Sequence, residues 1–275
     1  MRTPGLHHVT AICRNGRQNV LFYTKTLGLQ LIKKTVNFDD PTTWHLYYAD
    51  ASGVKGTILT FFVLPQAPQG RPGARTVTRT WFSSSDITHW KAVLTEKRVP
   101  FLIEENNLLF QDADGMPLGI MRTDNAKKEL TIHAVTLSSD KVGESRAVLD
   151  TLGVQTTALP SGQEVFLEES DAKPGIVANG MVHHIAFRAP DYEDQEKWRS
   201  ALKKHYPTPV VNRNYFRSVY FREPSGILFE IATNGPGFLI DEDEEHLGQT
   251  LQLPPWLEPQ REAIKKALPP LGDTQ

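Results

Sequence analysis

A chain of 275 residues, 39% apolar and 23% charged, has the balance of a globular protein and is long enough for one large domain or two of ordinary size. Its formal net charge of -2 supplies no long-range field that would draw nucleic acid or an anionic membrane, so partners must be sought in local sites. The single cysteine, Cys13, excludes an intramolecular disulfide, no run of about 18 apolar residues offers a membrane span, and the opening from Met1 to Gly5 lacks a signal-peptide stretch; a cytoplasmic location is expected.

The elements come in a repeated order. A strand over Leu6 to Ile12 precedes a helical pattern over Asn15 to Tyr23, which ends near Gly28. Strand-like segments follow at Gln30 to Val36, Trp44 to Ala49 and Thr57 to Leu64, with Asp39-Asp40-Pro41 and Asp50 to Gly53 as turns. After the Pro- and Gly-rich stretch Pro65 to Gly73 the order returns: strand Thr76 to Ser83, a helix over Asp86 to Lys97 capped by Asp86, then short strands at Phe101 to Glu104, Leu108 to Gln111 and Pro117 to Arg122. A third round runs from Leu130 to Thr136 through a helix at Val142 to Leu152, with Gln163 to Glu168 as a strand candidate. A fourth begins at Val182, has its helix at Tyr192 to His205, and closes with Val210-Val211, Ser218 to Arg222 and Ile227 to Thr233. In the tail, the acidic run Asp241 to Glu245 reads as solvated surface, and Glu258 to Leu268 as one short helix before Pro269-Pro270.

Four rounds of one pattern are an internal repeat, and comparing them separates structural from functional residues. At the first strand the aligned positions read His7-His8, Trp81-Phe82, His133-Ala134 and His183-His184. At the last strand Glu230 corresponds to Gly119 in round two and to Thr60 or Phe61 in round one. Polar groups are thus concentrated in rounds one and four, which predicts one site made jointly by the two ends of the chain. Each His pair lies in an alternating apolar run, so one His of each can face a common interior. Glu230 sits in a strand that otherwise reads as buried, where a lone carboxylate costs several kcal/mol unless paired or bound to a cation. Two imidazoles and a carboxylate would satisfy a divalent metal. The plain alternatives are hydrogen-bonded core histidines and a Glu230 that neutralises Arg217 or Arg222.

The layout resembles the vicinal oxygen chelate superfamily of glyoxalases, bleomycin-resistance proteins and extradiol dioxygenases. More narrowly, Leu6 to Thr10, Lys33 to Pro41, His45-Leu46-Tyr47-Tyr48, Val182 to Phe187 and Asn212 to Pro224 resemble the ring-cleaving dioxygenases acting on hydroquinones. The resemblance implies an α+β fold in which four βαβββ modules form two paired domains with curved mixed sheets, 1–124 and 125–235, followed by a tail at 236–275. It implies Fe(II), with Mn or another divalent metal as substitute, held by His8, His184 and Glu230. A triad of this kind leaves positions open for both a diol and O2. It also implies catalytic roles for His183, Tyr220 and Arg213, and places His7 and Thr10 beside substrate or ligands. The partners expected are a small aromatic diol and O2, with no nucleic acid and no membrane; a homo-oligomer is compatible with the sequence. Trp44 departs from the smaller aromatic that the resemblance leads one to expect, which bears on substrate size. Two rival readings stand beside this one: a glyoxalase-like metal-dependent isomerase, which would call for two carboxylates, and a metal-free binding protein for an aromatic or drug-like ligand.

Overall fold

Each repeated round opens on a strand, as the periodicity predicts. The computed structural model describes residues 1–124, 126–154, 159 and 161–271. Round one comprises β1 (Leu6–Cys13), α1 (Gly16–Leu21), β2 (Gln30–Asn37), β3 (Asp40–Ala49) and β4 (Ile58–Val63). Round two comprises β5 (Thr76–Ser84), α2 (Ile87–Glu96), β6 (Phe101–Glu104), β7 (Asn107–Gln111) and β8 (Pro117–Arg122). Round three is shorter among the described residues, with β9 (Thr131–Ser139), α3 (Val142–Thr151) and β10 (Glu164–Glu169). Round four contains β11 (Met181–Ala189), α4 (Tyr192–Ala201), β12 (Val211–Asn212), β13 (Arg217–Arg222) and β14 (Leu228–Thr233), and the tail carries α5 (Arg261–Ala267). No helix among the described residues is long and apolar enough to cross a membrane.

Local chemistry accounts for the boundaries. Asp86 caps α2 by accepting from the His89 backbone N–H at 2.8 Å, as expected. The first helix is shorter than its pattern: α1 stops at Leu21 and continues as a π-helical turn over Phe22–Thr26, before Gly28 turns the chain at φ +70. The turn expected at Asp39 to Pro41 lies one residue earlier, because Asn37 pairs with Asp40. Pro41 is tolerated inside β3 because β4 joins that strand only from Trp44 onward, leaving the start of β3 paired on one side.

The strands form two mixed sheets, one ordered β12-β13-β14-β11-β1-β4-β3-β2 and the other β10-β9-β5-β8-β7-β6. Rounds one and four therefore share a sheet, with β1 antiparallel to β11 at its centre, and rounds two and three share the other. The fold is α+β with two curved mixed sheets, as anticipated. The link between β8 and β9 contains residue 124, and each sheet draws one round from either side of it. Alternation puts Val9, Ile185, Phe187, Phe229 and Ile231 into the main core, with Val20 and Trp198 of the helices. Each such side chain contributes about 1.5–3 kcal/mol by burial, and the strands' other face is left for the polar residues between them.

The tail is tied down more firmly than an acidic surface run would be. Lys33 of β2 is fully buried, and its ammonium lies 2.5 Å from both Asp241 and Glu242. Those two carboxylates are thus partners of a buried cation, a correction to their reading as solvated surface. Farther on, Leu253, Leu257, Ile264 and Leu268 pack on Val36, and the Trp44 indole donates to the Pro269 carbonyl at 2.7 Å. Trp44 faces this tail rather than the site.

Candidate metal centre

Two β-bulges set the directions of the paired histidines. Along β1 and β11 the register passes from Leu6↔Phe187 to His8↔Ala186 and from Thr10↔His184 to Ala11↔Val182, leaving His7 and His183 as the extra residues. A bulge interrupts the strict alternation of faces. Adjacent rings therefore meet, where strict alternation would put one of each pair on the opposite face: the Nδ1 atoms of His7 and His8 are 2.9 Å apart and those of His183 and His184 2.8 Å apart. His7 also hydrogen-bonds to the Thr233 backbone carbonyl. With that tautomer, His8 donates from Nδ1 to His7 and turns the lone pair of Nε2 toward the site.

The ring nitrogens and Glu230 converge. His8 Nε2 lies 3.1 Å and His184 Nε2 3.0 Å from Glu230 Oε2, and the two nitrogens are 3.2 Å apart. These three buried groups, each offering one ligand atom, form a potential metal site. Ser218 Oγ donates to Glu230 Oε1 at 2.5 Å, whereas Oε2 accepts no aligned hydrogen bond although Glu230 is 1% exposed. Burial works to raise the Glu230 pKa, but His8 and His184 outweigh it and hold the carboxyl well below its ordinary value. A buried carboxylate with one orphaned oxygen facing two imidazole nitrogens is a set that a divalent cation completes.

Exchanging β1 with β11 relates the halves of the sheet. Glu230 lies opposite Ala186, which lies opposite His8; Thr60 lies opposite Thr10, which lies opposite His184. Thr60 is thus the counterpart of Glu230, Tyr47 that of Tyr220, and His45 that of Ser218. A cavity of 580 Å³ is lined by the triad together with His45, Tyr47, Phe62, His183, Arg213 and Tyr220. Arg213 is held between Asp39, at 2.8 Å, and Tyr220 Oη, to which its Nε donates at 3.1 Å. Burial, followed by Glu230, raises the Tyr220 pKa, so the phenol stays protonated. Thr10 is buried beside the site and accepts from Thr60 at 2.8 Å.

Of the sequence-derived candidates, His8, His184, Glu230, His183, Tyr220 and Arg213 all reach the cavity. His7 and Thr10 do not line it: His7 meets the lining residue His8, and Thr10 is bonded to Thr60, which in turn is bonded to the lining residue His45. Sequence reasoning assigned no role to His45, Tyr47 or Phe216. Phe216 packs 4.9 Å from the His7 ring and 5.3 Å from that of His8.

The second sheet carries the same two bulges without the ligands. There the extra residues are Thr78 and His133, so Ala134 occupies the place of His8, Arg79 that of His184, and Gly119 that of Glu230. Thr78-Arg79, not Trp81-Phe82, is therefore the counterpart of the histidine pairs. Trp81 fills the space: a Cβ on Gly119 would lie 2.2 Å from the indole.

Comparison with known proteins identifies the family and the fold. Residues 5–118 match the family described as Glyoxalase/Bleomycin resistance protein/Dioxygenase superfamily. The Bacillus subtilis (strain 168) protein named "Putative ring-cleaving dioxygenase MhqE" is 39% identical over 304 residues, covering 98% of this chain and 100% of the relative. "Chlorohydroquinone/hydroquinone 1,2-dioxygenase" of Sphingobium indicum is 27% identical over 311 residues, covering 97% of this chain and 96% of the relative. A Bacillus subtilis crystal structure described as a "putative dioxygenase" superposes with a TM-score of 0.90 at 34% identity, over 98% of this chain and 97% of that one. Glyoxalase I from Zea mays, with a TM-score of 0.63 at 14% identity over 85% of this chain and 92% of that one, shares the fold alone.

Proposed function

This chain belongs to the glyoxalase, bleomycin-resistance and dioxygenase superfamily, and we propose that it is an Fe(II)-dependent ring-cleaving dioxygenase of extradiol type, opening a hydroquinone-type or catechol-type dihydroxybenzene with O2. The observation that carries this reading is the buried convergence of His8 Nε2, His184 Nε2 and Glu230 Oε2. Two imidazoles and one carboxylate suit Fe(II), and Mn(II) or another divalent ion fits the same donors. The relative from Sphingobium indicum is named for chlorohydroquinone and hydroquinone, which puts para-diols first among substrates.

In this reading His8, His184 and Glu230 hold the metal, which when bound supplies a Lewis acid for a diol oxygen and a route for ring electrons to O2. Ser218 orients the carboxylate, and His7 and His183 orient the two imidazoles through their Nδ1 contacts. His183, accepting at Nδ1 from His184, keeps its proton on Nε2. Burial, then His184, lowers its pKa to about 3, so it is neutral at pH 7 and serves as a donor to an oxygen in the cavity. Arg213 remains charged at any working pH and, with the Tyr220 hydroxyl, stabilises negative charge on a substrate oxygen.

A glyoxalase-like isomerase would call for a second carboxylate, and the related position holds Thr60. A metal-free binding protein would retain its ligand after His8→Ala. Anaerobic loading with Fe(II), then addition of O2 with hydroquinone, methylhydroquinone or catechol, tests the proposal. Oxygen uptake tied to loss of the diol is expected; no uptake with any para-diol or catechol would overturn it.

A further inference from the structure

Two tyrosines at related positions line the cavity, and their hydrogen bonds run in opposite senses. Tyr220 Oη accepts from Arg213 Nε, which leaves its own proton to be given. Around Tyr47 the direction is set from the far end. Thr60 Oγ1 donates to Thr10 Oγ1 at 2.8 Å, so the Thr60 oxygen accepts from His45 Nε2, 2.9 Å away. A neutral imidazole protonated on Nε2 carries a lone pair on Nδ1. Tyr47 Oη, 2.8 Å from that atom, is therefore the donor. Burial, followed by the neighbouring His8, holds the His45 pKa well below 6.5 and keeps the ring neutral. With its proton committed to His45, the Tyr47 oxygen offers only lone pairs to a molecule in the cavity.

We propose that Tyr47 determines specificity by accepting a hydrogen bond from the substrate hydroxyl that stays protonated, and that His45 is the positioning residue that fixes this polarity. The inference rests on the ring-cleaving reading given above. A diol held at the site presents one oxygen that has given up its proton and one that has not. Tyr220, a donor beside the Arg213 cation, matches the first; Tyr47, an acceptor, matches the second. The cavity thereby selects aromatic substrates with a second un-ionised O–H or N–H donor over ethers of the same shape. A buried acceptor left without its donor is costly, which is the physical basis for rejecting an analogue that lacks one hydrogen.

Protein loaded with Zn(II), which does not turn over with O2, permits an equilibrium test. Hydroquinone and its monomethyl ether are titrated into the wild type, Tyr47→Phe and His45→Ala, with intrinsic fluorescence as the readout. The wild type should bind hydroquinone tighter than the ether by about tenfold, the size of one such hydrogen bond. Tyr47→Phe should weaken hydroquinone by a similar factor and leave the ether within about twofold. His45→Ala frees the Tyr47 proton and should tighten binding of the ether, an outcome that simple loss of packing does not produce. Equal weakening of both ligands by Tyr47→Phe, or weakening of neither, overturns the proposal, as does a His45→Ala protein that still discriminates like the wild type. If neither ligand binds Zn(II)-loaded wild type, the ring-cleaving reading falls as well; if hydroquinone binds without regard to Tyr47, only the inference made here falls.

Discussion

Glu230 and Thr60 stand at related places on either side of the histidine pair, one next to His8 through Ala186 and the other next to His184 through Thr10. One half of the site thus ends in a carboxylate and the other in a hydroxyl turned away toward Thr10. A carboxylate at position 60 would face the same interior. Thr60→Glu should therefore bind a divalent metal tighter by about tenfold or more, the order of an added contact to a charged group. It should also lose most of its oxygen uptake, because a coordination position needed by substrate or O2 is filled. Metal titration beside an oxygen electrode checks both; unchanged affinity and uptake would place Thr60 outside the metal's reach.

The orphaned oxygen of Glu230 gives a second expectation. Glu230→Gln keeps an acceptor for Ser218 but removes a charge that the fold favours, so the metal-free variant should be less stable than the metal-free wild type at pH 7. Added Fe(II) or Zn(II) should raise the melting temperature of the wild type and leave that of the variant unmoved, since only a bound ligand stabilises the folded state. A variant that melts upward with metal would remove Glu230 from the donor set.

Acid should destabilise the metal-free protein in a defined window. Burial lowers the pKa values of His7, His45, His183 and His184 in the fold. The unfolded chain takes up protons near pH 6.5 that the folded chain refuses, so the stabilising contribution is complete above about pH 6.5 and declines below it, by up to about 1.4 kcal/mol per pH unit for each group. Glu230, whose pKa is depressed in the fold, contributes above its unfolded value of 4.5 and loses that contribution only at lower pH. Urea unfolding between pH 7.5 and 5.5 should show stability falling with pH, and His45→Gln should reduce the slope by one proton. A flat profile would mean that these imidazoles are not buried neutral.

Lys33 makes the tail part of the fold. Lys33→Met leaves Asp241 and Glu242 without their cation and should cost about 3–5 kcal/mol, the usual penalty for breaking a buried ion pair from one side. Limited proteolysis should then cut the 241–271 segment before the sheets. Resistance equal to the wild type would show that the apolar contacts of Leu253, Leu257 and Ile264 hold the tail alone.

The candidate triad was legible in part without knowledge of strand pairing: alternation and comparison of the repeats single out the two histidine pairs and Glu230, and the family resemblance picks His8 and His184 from the pairs. What escaped the sequence depends on pairing. The bulges that bring His7 onto His8 shift the register by one residue, and the same shift in the second sheet exchanges Phe82 for Arg79 as the counterpart. Tyr47 and His45 join the site only because β3 lies beside β4, two strands from β11. Asp241 and Glu242 read as surface because their partner Lys33 is about 200 residues earlier in the chain and looks, in isolation, like an ordinary exposed lysine.

The most direct test follows the oxygen atoms. Wild type loaded anaerobically with Fe(II) is given hydroquinone and isotopically labelled O2, and the product is weighed by mass spectrometry beside that of His184→Ala and Glu230→Gln. Both labelled atoms should enter a single ring-opened product in the wild type, and neither variant should form it. An unlabelled product, a product carrying one labelled atom with the ring intact, or a fully labelled product from either variant would contradict a dioxygenase centred on His8, His184 and Glu230.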